Sequence, residues 1–425
     1  MRRDRKKLEQ HSLLKRWLAR SVAVVLGLVL VAAALWFIAR RVPSAYVRYA
    51  LFLMQRHSIM REKVDWPALK AEALASTRSA KTVADTYPVI RTALGRLGDN
   101  HSHLIPASRV RAHREGRLQG SGLLVLYPER VAVRVYPRSP AERAGLRVGD
   151  IVETMNDAEP GPAEPSGAFM FVRDGTVHYT LRRAHQVGPI RVALTSTTFD
   201  GSVPPSGKRL DGDIGFLELP ATAGAGPYAR LALEAVRRVD EPPVCGWVVD
   251  LRRNQGGNMW PMLAGVRPIL GEGRLGSFVA GDRRSYWSYP NQRVSGLDGP
   301  AYHLKRPMPP VAVLTSRLTA SAGEAVAIAF RGRPNTRSFG EPTGGLPTAN
   351  QTFHLPDGAM LALTTAFEAD RTGRIYTGRI PPDEPVAEDW VRIESDDDPV
   401  ALSAAQWLSG QAACKATDPR GPGER

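Results

Sequence analysis

The fold is best predicted from residues 248–257, which read VVDLRRNQGG. The apolar residues at the start of this stretch continue a run from Val244, which predicts a buried strand. The strand is followed by a charged turn that Gly256 and Gly257 close before a helix. Glycines in such a turn let backbone N–H groups face a ligand with no side chain between them. The turn is therefore suited to form an oxyanion hole.

The rest of this region has the alternating pattern of an α/β core. Strands are predicted at residues 214–219, 244–251 and 311–315, and helices at residues 228–239, 259–270 and 321–331. No internal repeat is evident. We therefore expect an α/β domain over residues 201–400, followed by a C-terminal helix and tail over residues 401–425.

Ser321 follows the strand at 311–315 and starts the next helix, between small residues. A nucleophile needs such exposure, and a helix N-terminus favours developing negative charge. The alternative interpretation is an ordinary N-cap serine that forms a capping box with Glu324 three residues later. This segment by itself favours the ordinary N-cap interpretation.

A β-rich segment precedes the α/β region. Strands are predicted at 123–126 and 131–135, and residues 139–152 (SPAERAGLRVGDIV) resemble the PDZ-domain signature. The resemblance implies a PDZ-like domain, assigned here to residues 119–200, that binds an extended peptide end as an added strand. The turn of Gly120, Ser121 and Gly122 is the candidate binding site for the peptide carboxylate.

The N-terminus has the charge pattern of a membrane anchor. Its first twenty residues contain eight Lys and Arg against Asp4 and Glu9, and residues 21–39 (SVAVVLGLVLVAAALWFIA) contain no charge. Nineteen residues of helix span the ~30 Å hydrocarbon core. We expect a transmembrane helix with the basic tail (residues 1–20) inside and the rest of the chain outside the cytoplasm. The alternatives are a cleaved signal peptide and a buried core helix.

Residues 40–118 are expected to form a helical segment. Asp65 and Pro67 predict a helix start, as N-cap and first-turn residue. The segment includes a polar cluster at residues 98–103, GDNHSH. The two cysteines allow one disulfide, but Cys245 lies in an apolar run, which favours a buried free thiol. Cysteine and histidine spacing typical of a metal site is absent.

Taken together and in this order, the motifs resemble the C-terminal-processing (tail-specific) protease family over about 300 residues. The matching parts are DNHS at 99–102, the PDZ signature, DLRRNQGG at 250–257, SAGE at 321–324, GEPT at 340–343 and IPPD at 380–383. The resemblance implies a crotonase- or ClpP-like α/β core with Ser321 as nucleophile. It also implies an oxyanion hole formed by the N–H groups of Ala322 and of the Gly256/Gly257 turn.

The general base departs from the commonest pattern of this family. Ser-Lys members have a lysine near the position of Leu346, but no lysine occurs between Lys305 and Lys415. The chain is more similar to the histidine-using branch typified by the tricorn core protease, which implies His101 as base, with His103 as the alternative. The acid of that branch would fall near Tyr376 or Thr377, and neither is acidic.

The sequence therefore predicts a membrane-anchored serine endopeptidase that acts on envelope proteins or peptides, without a metal or organic cofactor. No basic run interleaved with aromatic residues indicates nucleic-acid binding. The sequence does not determine the oligomeric state. The missing acid leaves two alternatives open: a non-catalytic pseudo-protease, and a PDZ-type peptide-binding or scaffold protein at the membrane.

Overall fold

The computed structural model describes residues 21, 25, 36, 38, 41–159, 169–170, 175–222, 224, 227–289 and 302–415. The chain divides into two compact units. The first comprises Met1–Val110 and Asn350–Thr365, and the second comprises Arg111–Ala349 and Ala366–Arg425.

The α-helices are α1 (Pro43–His57), α2 (Trp66–Ala75), α3 (Tyr87–Gly95), α4 (Ala107–Arg114), α5 (Pro140–Arg143), α6 (Tyr228–Val239), α7 (Met259–Leu270), α8 (Ala322–Phe330), α9 (Pro399–Ser409) and α10 (Ala412–Lys415). The strands are β1 (His103–Ile105), β2 (Arg117–Gly120), β3 (Leu123–Leu126), β4 (Val131–Val135), β5 (Ile151–Met155), β6 (Phe169–Met170), β7 (Thr176–Arg182), β8 (Ile190–Thr195), β9 (Thr197–Asp200), β10 (Ser206–Leu210), β11 (Ile214–Glu218), β12 (Gly246–Asp250), β13 (Gly273–Ala280), β14 (Arg283–Tyr289), β15 (Val311–Thr315), β16 (Thr336–Gly340), β17 (Thr348–His354), β18 (Met360–Asp370), β19 (Ile375–Tyr376) and β20 (Glu384–Pro385).

The first unit packs α1, α2 and α3 around an apolar core that includes Tyr46, Met54 and Ile90. Helix α2 begins as predicted, because the Asp65 side chain accepts a hydrogen bond from Ala68 N (3.1 Å) and Pro67 lies in the first turn. After α3 the chain enters β1, which pairs antiparallel with the first residues of β18. His101 lies in the loop before β1.

The second unit is built on a six-stranded sheet of order β10-β11-β12-β15-β16-β20. All neighbouring pairs are parallel except β10 with β11. Alternate residues of β12 pack on opposite faces: Trp247 and Val249 pack with α6, α7 and α8, and Val248 packs with α9. The strand is buried throughout, as expected for a parallel sheet covered on both sides. The predicted α/β core is thus present.

The second unit also contains an antiparallel sheet of order β6-β3-β4-β5-β7-β8, where the PDZ-like domain is predicted. Strands β3 and β4 have the predicted bounds. Helix α5 begins after Ser139, whose side chain accepts a hydrogen bond from Glu142 N (3.2 Å). The edge of β3 that does not pair with β4 is paired with β6.

The expectation of a free thiol at Cys245 is wrong, because Cys245 and Cys414 form a disulfide. The residue before β12 and the residue in α10 are 169 positions apart in the sequence and 4.8 Å apart at Cα. Sequence reasoning placed Cys245 correctly in the core, but it could not show that α10 returns to the same place.

No helix within the described part of the chain is long and apolar enough to cross a membrane. Of the predicted span at residues 21–39, only four residues belong to that part: Ser21, Val25, Trp36 and Ile38. The anchor therefore lies largely outside the described residues and stays a prediction.

Candidate active site

The candidate site lies where β12 and β15 end, because the carboxyl ends of neighbouring parallel strands meet at one edge of a sheet. Hydrogen bonds join the loops that follow these two strands. Ser316 Oγ donates to Arg252 O (2.6 Å), and Thr319 Oγ1 donates to Leu251 O (2.8 Å). The structure thus brings together the two segments that the sequence singled out separately.

Asn254 links these loops most directly. It is fully buried. Its Oδ1 accepts from Gly256 N (3.0 Å), its Nδ2 donates to Leu219 O (2.9 Å), and its carbonyl accepts from Ala320 N (2.9 Å). One side chain therefore fixes the glycine turn against the end of β11, while its own backbone holds the residue before Ser321.

Gly256 lies against Ser321. A Cβ on Gly256 would come within 2.7 Å of Ser321 Cβ and 3.1 Å of Ala322 N, and the glycine has φ +106°. Only glycine fits here, because of both the close approach and the backbone conformation.

Ser321 itself is half-buried and has φ 52° and ψ −121°. A non-glycine residue in such a conformation costs about 1–3 kcal/mol, and such strain clusters at functional sites. This observation favours a functional turn over an ordinary N-cap.

The backbone N–H groups near Ser321 differ in whether they already donate a hydrogen bond. Gly256 N–H donates to Asn254 Oδ1, whereas the N–H groups of Gly257 and Ala322 have no acceptor among the described residues. Ala322 is the first residue of α8, where N–H groups lack a partner within the helix. Gly257 and Ala322 are therefore the better candidates for an oxyanion hole. Gly256 was also predicted to contribute an N–H group, but that group is engaged by Asn254, and we assign to Gly256 the shaping of the turn.

Glu324 holds the backbone of Ser321. Its Oε2 accepts from Ser321 N (2.9 Å) and Leu346 N (2.7 Å), and its Oε1 accepts from Thr343 Oγ1 (2.5 Å) and Gly345 N (3.0 Å). The capping-box interpretation is thus correct for the glutamate. Burial raises the pKa of Glu324 and the four donated hydrogen bonds oppose this effect. Because all four neighbours are donors, we assign Glu324 as the ionised carboxylate.

A buried ion-pair network lies beneath the glycine turn. Arg252 bonds to both carboxylate oxygens of Asp250 and of Asp398, the N-cap of α9, and its Nη1 lies 3.2 Å from Glu388 Oε2. Burial raises the pKa of Glu388 to about 8. The network ties the residues after β12 to the C-terminal helix.

His101 lies in the first unit, and Ser321 lies in the second. Burial is the main reason why the pKa of His101 falls to about 4; nearby His103 lowers it further, while Asp99 opposes the shift. The imidazole is therefore neutral near pH 7, as a general base must be. Asp99 shapes this loop by accepting from His101 N (3.0 Å) and Ser102 N (2.7 Å).

His103 is exposed, and its Nδ1 donates to His101 O (2.9 Å). The pairing of either histidine with Ser321 stays a prediction.

The position expected for a catalytic acid is occupied by Tyr376, whose hydroxyl donates to Asp370 Oδ2 (2.8 Å). Sequence reasoning missed a second carboxyl group near the site, Glu368, which is 2% exposed on β18. The signal was weak, because one glutamate in an apolar strand resembles any outward-facing residue.

The proposed peptide-binding turn is closed. Gly120, Ser121 and Gly122 are buried, Ser121 O accepts from Ala141 N (2.9 Å), and a Cβ on Gly122 would lie 2.0 Å from Ser139 Cβ. A peptide carboxylate could reach these amides only after the turn opened.

Comparison with known proteins shows which protein family the region around this site resembles. Residues 213–386 match the model of peptidase family S41, and this range contains Ser321, Asn254 and Glu324 but not His101. This part of the chain is therefore similar to S41 peptidase domains, and the match supports the prediction of a serine-type peptidase.

The relatives include known processing proteases. The chain is 35% identical over 173 residues to the nisin-resistance protein of Lactococcus lactis, an alignment covering 39% of this chain and 50% of that protein. It is 26% identical over 380 residues to carboxyl-terminal-processing peptidase 2 of Arabidopsis thaliana, covering 81% and 70% respectively. The chain thus spans about half the length of the first relative.

Solved structures share the fold. A lipoprotein from Streptococcus agalactiae superposes with a TM-score of 0.58 at 20% identity, covering 86% of this chain and 96% of that one. The photosystem II D1 C-terminal processing protease gives 0.56 at 20% identity, covering 85% and 97%.

Proposed function

We propose that this protein is a membrane-anchored serine endopeptidase that hydrolyses peptide bonds of proteins outside the cytoplasm. The observation that carries the proposal is the Ser321 turn. It combines a strained backbone, a closely packed glycine and N–H groups on Gly257 and Ala322 for which the described part of the chain provides no acceptor. In this account Ser321 Oγ attacks the peptide carbonyl, and these N–H groups stabilise the resulting oxyanion.

His101 is the proposed general base. It takes the Ser321 hydroxyl proton and transfers it to the leaving amine, and water then hydrolyses the acyl-enzyme. Its neutral state at pH 7 supports this role. Its assignment to Ser321 rests on the resemblance to the histidine-using branch, in which the base lies in a loop far away in sequence.

The test compares three variants on a peptide substrate. Ser321→Ala and His101→Ala should each lose several powers of ten in kcat, because a nucleophile and its base act as one unit. His103→Ala, the matched control from the start of β1 two residues later, should keep substantial activity. Activity that survives Ser321→Ala would overturn the assignment of this site. Activity that survives His101→Ala but not His103→Ala would identify the other histidine as the base.

The location outside the cytoplasm is supported by the Cys245–Cys414 disulfide, because disulfides persist in oxidising compartments. It agrees with the orientation that the basic tail predicts.

The second candidate function is peptide binding without catalysis. It is favoured by one observation: a tyrosine bonded to Asp370 stands where the histidine-using branch has its acid. A non-catalytic protein would keep the fold and bind peptides, and Ser321→Ala would leave that binding unchanged. Measurable hydrolysis by the intact chain that depends on Ser321 excludes this candidate.

A PDZ-like role for the antiparallel sheet is part of the proposal. The edge of β3, which would accept a peptide strand, is paired with β6 through Val125–Met170 and Leu126–Phe169. Peptide binding would therefore require β6 to be displaced. We expect the full chain to bind peptides with free C-termini more tightly than their amidated forms, and equal binding would argue against carboxylate capture.

A further inference from the structure

Glu368 is a buried carboxyl group for which the proposed reaction has no role. It lies on β18, where it pairs with Phe278 of β13 and Tyr376 of β19, and its side chain is 2% exposed. Its Oε2 has no hydrogen-bond partner among the described residues. A buried polar atom without a partner is costly, and a functional role is one of the reasons why proteins retain such atoms.

The surroundings of Glu368 favour its neutral form. Burial and the neighbouring Glu324 carboxylate together raise the pKa of Glu368 well above its usual range. The four hydrogen bonds donated to Glu324 assign the negative charge of the pair to that residue. Of these two carboxyl groups, Glu368 is then the one that carries a proton near pH 7.

Glu368 is also linked through the backbone to the segment that Glu324 organises. Glu368 N donates to Pro347 O (3.0 Å). Pro347 directly follows Leu346, whose N–H bonds to the same Glu324 oxygen as the N–H of Ser321. Three hydrogen bonds thus connect Glu368 to Ser321, through Pro347, Leu346 and Glu324.

Few other charges act on this carboxyl group. Residues 343–348 have no ionisable side chain, and the facing residue of β13 is Phe278. On β19 the hydroxyl of Tyr376 is engaged by Asp370. Arg379 packs its aliphatic part against Gly345 on this segment, and ion pairing between Arg379 and Glu368 is not observed among the described residues. The negative charge of Glu324 is therefore the one that would repel an ionised Glu368.

We propose that Glu368 is a positioning residue for the reaction, one that must stay protonated for Glu324 to hold Ser321 and the 343–347 segment in the active arrangement. The inference rests on the proposed function of Ser321. Loss of the Glu368 proton places a second negative charge beside Glu324 in an apolar site. Repulsion between the two carboxylates then moves the segment that sets the Ser321 backbone.

The pH dependence follows from the sign of the shift. Unfolded Glu368 ionises near pH ~4.3, whereas the folded residue keeps its proton to higher pH. The folded state therefore binds an extra proton in this range, and stability falls as pH rises from the unfolded towards the folded pKa. Activity should also fall once the pH rises above the pKa of folded Glu368, by about tenfold per pH unit for one essential proton.

The test is the variant Glu368→Gln, which keeps the shape of the side chain and cannot ionise. We expect it to retain kcat within a few-fold of wild type at the optimum and to lose the alkaline decline in peptide hydrolysis and in labelling of Ser321 by an active-serine probe. At pH 7 both Glu368 and Glu388 should contribute to the infrared band of protonated carboxyl groups, so the contribution of Glu368 should disappear in this variant while that of Glu388 remains. The matched control is Glu388→Gln, another buried carboxyl group with a raised pKa, which should keep the alkaline decline.

An alkaline decline that persists unchanged in Glu368→Gln would overturn the proposal, as would a protonated-carboxyl band at pH 7 that is equal in the wild type and in this variant. A wild type inactive at every pH would overturn the proposed function instead. In that case the free energy of unfolding decides the proposal about Glu368. The free energy of unfolding of Glu368→Gln relative to that of the wild type must increase with rising pH, and a difference that does not change with pH contradicts the proposal.

Discussion

His101 is unusual among histidines because its pKa lies at about 4, well below physiological pH. As the general base it must be neutral, so kcat/KM should be constant near pH 7 and fall as pH decreases through about 4. Stability should decrease earlier, from pH ~6.5 downward, because the unfolded chain takes up a proton that the folded chain does not. A pH profile of kcat/KM measures this. An acid decline centred near pH 6.5 would mean that another group is the base.

A second prediction for a single residue concerns the replacement of Asn254. Asn254→Ala leaves Gly256 N–H and Leu219 C=O without partners in the core, which costs about 1–3 kcal/mol for each buried group. We expect lower stability in urea unfolding and a fall in kcat larger than any change in KM, because the glycine turn loses its support. The neighbouring Gln255→Ala is the control and should change neither. A stable Asn254→Ala variant with wild-type kcat would contradict this role.

The residues that sequence alone could identify are those whose type and position are both special. Ser321 and the Gly256/Gly257 turn were weak signals separately and were found because several motifs occur together in the order that resembles the tail-specific protease family. Asn254 and Glu368 were missed because their roles depend on neighbours far away in sequence. Tertiary contacts such as Asn254 with Leu219, or Glu368 with Pro347, leave no local trace.

At the scale of elements, the Cys245–Cys414 disulfide joins the start of β12 to the C-terminal helices. Replacing both cysteines with serine should lower the free energy of unfolding by about 2–5 kcal/mol. Catalysis below the melting temperature should be largely retained, because the site lies at the opposite end of β12. Chemical denaturation with and without reductant checks this. A wild type whose stability is unaffected by complete reduction would contradict it.

Most elements were predictable, and the misses have a common physical cause. The helices Tyr228–Val239 and Met259–Leu270 and the strand Val311–Thr315 have the predicted bounds, since apolar periodicity decides them. The pairing of β18 with β13 and of β6 with β3 was not predicted, because sheet partners depend on folding over long sequence distances.

At the scale of the whole molecule, the basic tail and uncharged run predict that the protein sediments with membranes. Protease added to spheroplasts should degrade everything beyond residue 39, because the excess of positive charge keeps the tail inside. A matched variant with the arginines and lysines of residues 2–7 changed to glutamine should lose this uniform orientation. Protection of the bulk of the wild-type chain until the membrane is broken would show that the orientation is wrong.

Covalent labelling shows whether the Ser321 turn is a working nucleophile site. The intact protein is treated with a fluorophosphonate active-serine probe, and the modified residue is mapped by mass spectrometry. We expect one adduct on Ser321 that is lost in Ser321→Ala and forms much more slowly in His101→Ala. A folded protein that hydrolyses peptide but forms no adduct on Ser321 would show that the nucleophile lies elsewhere.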